Sequence, residues 1–105
     1  MTVRQLYVRA VVQGVAIMWP VLSSLLMLIA GLGAIVGVIE GWGLARGVYF
    51  GFITALTIGY GDLVPTRGVT QVLAVLAGFS GIAMTALLAA VAVRAFAVVA
   101  QDEQR

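Results

Sequence analysis

The sequence predicts an all-α membrane protein: two membrane-crossing helices, with a short apolar helix and a polar loop folded back between them. Three observations carry this. First, 63% of the 105 residues are hydrophobic and only 10% are charged, well above the roughly 45–50% apolar usage of soluble domains; the mean hydropathy is +1.15. Second, two runs free of charge, Val15 to Ile39 and Val69 to Val93, each exceed the ~20 residues that cross ~30 Å of hydrocarbon. Third, the segment between them contains Ala45 to Leu56, apolar but only 12 residues long, which is too short to span.

The same composition excludes several function classes. There is no cysteine and no histidine, so thiolate metal sites, disulfides and the commonest general base are missing. A conventional enzyme is not expected. The net charge of +2, carried by six arginines against four acids, is too small to argue for nucleic acid.

Taken in order, residues 1–18 read as an N-terminal interfacial segment. Gln5, Arg9 and Gln13 recur every four positions among valines, a leucine and a tyrosine, the pattern of an amphipathic helix lying on a membrane surface. The alternative is a plain extension of the span that follows. A signal peptide is not expected, because the apolar run is far longer than a ~7–15-residue h-region and no A-x-A site follows it. The outer helix is placed at 19–40, with Trp19 at headgroup level and Pro20 in a first turn that tolerates it.

Arg4, Arg9, Arg94 and Arg105 lie in the tails, against Arg46 and Arg67 between the spans. By the positive-inside bias both termini are expected in the cytoplasm, which points to a multi-pass protein of the plasma (inner) membrane. Glu40 and Arg46, beside the connecting turn, are expected to be solvated.

The short apolar stretch, 45–56, reads as a re-entrant helix. Irregular backbone at membrane depth persists only if buried in protein or lining a wet cavity, so the loop after it, at 57–62, is expected to line one. This loop lies in TALTIGYGDLVP, Thr54 to Pro65. Gly59 and Gly61 adopt positive φ at little cost. Alternating handedness around Tyr60 would let the carbonyls of Thr57, Ile58, Gly59 and Tyr60 aim at one axis, with the Thr57 hydroxyl at the inner end. The short helix ends at Leu56, and its negative C-terminal dipole favours a cation there. One chain supplies oxygens from one side only, so a ring needs several copies.

Thr54-x-x-Thr57-x-Gly59-Tyr60-Gly61-Asp62 resembles the selectivity-filter signature of the potassium channel pore-domain family, in its prokaryotic form with two transmembrane helices. The order of outer helix, turret, pore helix, filter and inner helix (69–98), followed by a cytoplasmic tail (99–105), is similar over about residues 20 to 98. The resemblance implies a homotetramer passing K⁺ ions as transported ligand, without an organic cofactor. K⁺, the only metal implied, would meet the carbonyls of Thr57, Ile58, Gly59 and Tyr60, rings of which replace an ion's hydration shell. Gly61 and Asp62 would form the outer mouth, Thr54 and Ile53 would support the filter from behind, and the Tyr60 ring would pack outward on the pore helix. Gly81 lies near the family's frequent hinge glycine.

The resemblance has departures. Tyr49 and Phe50 stand where many members carry two tryptophans, and Leu56 where a second threonine is frequent. Ile53 replaces the buried acid that pairs with the mouth aspartate in some bacterial members.

On the helices, Gly33, Gly37 and Gly41 recur every four residues, either as a close contact with the inner helix or as the ordinary glycine of membrane helices. Thr85 either faces the pore with Ile82 and Val93 or bonds back to the carbonyl four residues earlier. Arg94 is expected to snorkel to the cytoplasmic interface among membrane lipids. No span is arginine-rich, so no voltage sensor is expected. Gating would come from the filter, the inner-helix ends, lipid, pH or a separate regulatory subunit. The leading reading is a potassium-selective channel; a non-conducting subunit or adaptor and a weakly selective cation pore are the alternatives.

Overall fold

The fold was obtained as a computed structural model, described over residues 2–104. Three helices follow one another: α1 (Val3–Glu40), α2 (Leu44–Ala55) and α3 (Gly68–Glu103). The two long ones run about 57 and 54 Å at 1.5 Å per residue, and the whole chain measures 58 × 22 × 18 Å. Both are long and apolar enough to cross a bilayer, whereas α2 is short. They form an antiparallel pair, with α2 folded against both near the α1–α2 turn.

Local chemistry sets the ends of α1. Thr2 and Gln5 form a capping box: the Gln5 N–H donates to the Thr2 hydroxyl and the Thr2 N–H to the Gln5 amide oxygen, each at 3.1 Å. At the other end Gly41 turns left-handed at φ 80°. The Trp42 N–H reaches back to the Gly37 carbonyl at 2.8 Å and the Gly41 N–H to that of Val38 at 3.3 Å, the pairing that closes a helix at glycine.

Residues from Val3 onward do not form a separate interfacial segment, which corrects that expectation. α1 continues unbroken through Pro20, and the Ser24 and Ser23 hydroxyls donate to the Pro20 carbonyl at 2.6 and 3.2 Å. The reason is packing. The Tyr7 ring lies 4.8 Å from that of Phe96, and a Cβ on Gly14 would lie 2.7 Å from a Val91 methyl. The lower half of α1 is thus held along α3. For the same reason α3 extends to Glu103 instead of stopping near 98: Val91, Ala95 and Val99, four apart, are all buried and form one stripe.

Glycine brings α1 and α2 into backbone contact. A Cβ on Gly33 would run into the Gly47 carbonyl, and one on Gly37 into that of Gly43; one on Gly51 would lie 2.7 Å from the carbonyl oxygen of Ile29. So Gly33 and Gly37 receive the short helix, not the inner helix as one sequence reading has it, and Gly41 belongs to the turn. Leu22, Ile29, Ala55 and Met84 join all three helices in one buried cluster.

Candidate functional site

The loop after α2 is built from the end of that helix. The Leu56 N–H still donates to Phe52 at 2.9 Å, and Thr57 then turns left-handed at φ 61°. The Ile58 and Gly59 N–H groups both return to the carbonyl of Ile53, at 2.9 and 3.3 Å. Ile53 is buried, so its oxygen is a fixed anchor. In sequence terms Ile53 stands out for the acid it lacks; in the structure it supports the loop through its backbone. Thr54 is half-buried, and its carbonyl accepts the Thr57 N–H at 3.1 Å.

Beyond the anchor the backbone alternates. Thr57, Gly59 and Gly61 have φ of 61°, 58° and 80°, while Ile58 and Tyr60 between them stay at negative φ. This alternation in the sign of φ departs from a regular helix and from a regular strand, in which every residue keeps negative φ. The positive φ of Gly59 and Gly61 follows from glycine's freedom. That of Thr57 was not legible, because a β-branched residue rarely adopts it. Its hydroxyl donates to the Leu56 carbonyl at 2.6 Å, which leaves the oxygen's lone pairs as acceptors.

Thr57, Ile58, Gly59, Tyr60, Gly61 and Asp62 are all exposed in the single chain. The Tyr60 ring, expected against the pore helix, stands 71% exposed. Asp62 has a partner that the sequence reading missed: the Tyr49 hydroxyl donates to its carboxylate at 3.1 Å. Tyr49 thereby links α2 to the loop's outer end. Phe50 is buried, with its ring 5.2 Å from Trp42 in an edge contact.

A second missed element is Glu40. Expected to be solvated, it instead accepts four donors with its carboxylate. The Thr66 and Arg67 N–H groups donate at 2.9 and 3.1 Å, and the Thr70 and Thr66 hydroxyls at 2.7 and 2.8 Å. Acceptor-only oxygens suit such a set, and the negative charge lies at the positive N-terminus of α3. The sequence held a faint signal for this, an acid ending one span and Thr66 and Thr70 one turn apart at the start of the next.

On α3, Gly81 is buried with the Ala55 backbone packed on it, leaving no space for a Cβ. The helix runs unbroken through it. The end of α2 that launches the loop therefore rests directly on α3. Ile82, Thr85 and Val93 are exposed along one face of α3, and Ser80 rather than Thr85 shows the back-bond, to Leu76 at 2.9 Å. Among the described residues no group of three or more histidine, cysteine or carboxylate side chains could hold a metal ion.

Two long apolar helices, with a short helix and a glycine-turned loop between them, are consistent with a channel of two transmembrane helices. Residues 13–98 match the ion channel family, and the chain belongs to that family, of the type with two transmembrane helices. No curated protein and no solved structure matches the chain. The family and the two apolar helices make it a membrane protein.

Proposed function

We propose that four copies of this chain surround one axis and conduct K⁺ selectively and passively through the 57–61 loop. The observation that carries this is the alternating backbone at Thr57, Gly59 and Gly61, anchored on the Ile53 carbonyl. In such a loop the carbonyls of Thr57, Ile58, Gly59 and Tyr60 replace the hydration shell of a bare cation. The exposure of these four residues in one chain supports a closed ring, since unsatisfied carbonyls at membrane depth cost several kcal/mol each.

In this reading α2 is the re-entrant pore helix and directs the negative end of its dipole at the ion path. Asp62, held by Tyr49, rims the outer mouth. Ile82, Thr85 and Val93 line the inner path. Both termini lie in the cytoplasm of a cell bounded by a plasma (inner) membrane, in keeping with the four-to-two arginine bias.

The test has two parts. The detergent-corrected mass of the purified protein should equal four chains, and planar bilayers containing it should pass K⁺ current. A dimer mass would contradict the ring. A tetramer that passes no current under any condition would favour a non-conducting subunit.

A further inference from the structure

Away from the loop, the lower halves of α1 and α3 enclose a groove of about 320 Å³, at the small end of ligand pockets. Gly14, Met18, Ala90 and Val98 are among its apolar walls, and two polar side chains, Gln13 and Arg94, reach it. Its floor lies where Gly14 meets Val91.

Depth places this groove. Arg94 is 26 residues from Gly68 and Gln13 is 27 from Glu40, so both lie about 40 Å from the loop end of their helices. A bilayer is ~30 Å thick in hydrocarbon and ~40–45 Å with its headgroups. Both polar groups therefore fall in the far headgroup layer, while Met18 and Ala90 lie on the acyl side of them. Around α3, Arg94 stands about 130° from the face of Ile82, Thr85 and Val93 at 100° per residue. The groove thus opens toward lipid and not toward the inner path.

Arg94 is exposed, and the nearest acid on its own helix, Asp102, is eight residues or about 12 Å further on. Arg94 is the cation among the residues that line the groove, with Arg9 one turn from Gln13 on the same face of α1; a cation at the mouth of an apolar groove complements an anionic head joined to a hydrocarbon chain. A free phosphate would gain nothing from the apolar walls.

We propose that the groove is a binding site for one anionic phospholipid. Its phosphate is held by the Arg94 guanidinium and the Gln13 amide, and part of one acyl chain lies between Met18 and Ala90. The lipid bridges α1 and α3, and no α2 residue lines the groove. The site rests on the chain spanning a bilayer and on the inner-path face proposed above, and not on which ion the chain conducts.

The full-length protein in detergent, titrated with phosphatidylglycerol, phosphatidylcholine or glycerol phosphate, tests this by native mass spectrometry of bound lipid. Phosphatidylglycerol should bind about fivefold more tightly than phosphatidylcholine, the order of effect of one basic residue at an anionic surface. Arg94→Gln should bring that ratio close to one. Ala90→Phe, which fills the groove and keeps the charge, should weaken binding of both lipids, and Arg46→Gln at the other end should change neither. Circular dichroism checks that each variant keeps its helix content. An unchanged ratio in Arg94→Gln, or undiminished binding in a folded Ala90→Phe, would overturn the assignment. Displacement of the lipid by equimolar glycerol phosphate would show an anion site instead.

Discussion

The Glu40 carboxylate accepts the hydroxyl proton of Thr70 at 2.7 Å, tying the last residue of α1 to the first turn of α3 across 30 positions of chain. Between these two residues lie the whole of α2 and the 57–61 loop. The bond, with those from Thr66 and Arg67, clamps both ends of the segment that carries the candidate site.

Removing that clamp should loosen the segment. Glu40→Ala removes the acceptor of two N–H groups and of the Thr66 hydroxyl, and leaves the Thr70 hydroxyl the Arg67 carbonyl at 2.8 Å; it should lower the thermal unfolding midpoint and, in the proposed channel, shorten the time the loop stays conducting. Glu40→Gln, which keeps one carbonyl oxygen, should fall between it and the parent. In a double-mutant cycle Glu40→Ala and Thr70→Val should be clearly non-additive, as for residues sharing a hydrogen bond. Additive effects would show that the two do not act together.

The α1–α2 contact predicts a contrast between glycines on one helix. A methyl at Gly33 would meet the Gly47 carbonyl, whereas one at Gly31 meets nothing. Gly33→Ala should cost about 1–3 kcal/mol, as overpacking does. Gly31→Ala should be neutral or stabilise by up to ~1 kcal/mol through helix propensity. Denaturation of the purified protein measures both, and equal effects would refute the backbone contact.

A similar contrast applies on α3. Gly81 supports the Ala55 carbonyl, while a methyl at Gly78 would face open space. Gly81→Ala should displace the end of α2 and reduce conduction at unchanged protein level. Gly78→Ala should leave single-channel current unchanged. If Gly81→Ala conducted normally, the close packing would have no bearing on the loop.

Tyr49→Phe removes only the hydroxyl that donates to Asp62. The protein should assemble as before, since the ring is retained. In the proposed channel its current during a sustained pulse should decay at a different rate, because Asp62 has lost its tie to α2. An identical time course would make that hydrogen bond incidental.

Much of the fold was legible because its signals are local. Charge-free runs of 25 residues, a 12-residue apolar stretch and paired glycines around Tyr60 each report their own segment. What stayed hidden was which segments meet. Gly33 and Gly37 mark a close contact without naming the partner, and only the fold shows that it is α2. Glu40 looks solvated until Thr66 and Thr70 are brought to it. Polar Gln5, Arg9 and Gln13 suggest a surface helix, but Gly14 against Val91 and Tyr7 against Phe96 hold that stretch to α3. The Ile53 side chain suggests a missing support, while its carbonyl provides one, and backbone roles leave no mark in side-chain identity.

In the proposed channel the backbone oxygens of the 57–61 loop select K⁺. Liposomes holding the purified protein, with K⁺ and Na⁺ flux compared under matched gradients, test it most directly. The K⁺ flux should exceed the Na⁺ flux by more than about tenfold, a discrimination of at least ~1.4 kcal/mol. Gly61→Ala, which forces a side chain onto φ 80° at a cost of about 1–2 kcal/mol, should erode that ratio. Equal K⁺ and Na⁺ fluxes through the parent protein would contradict the account.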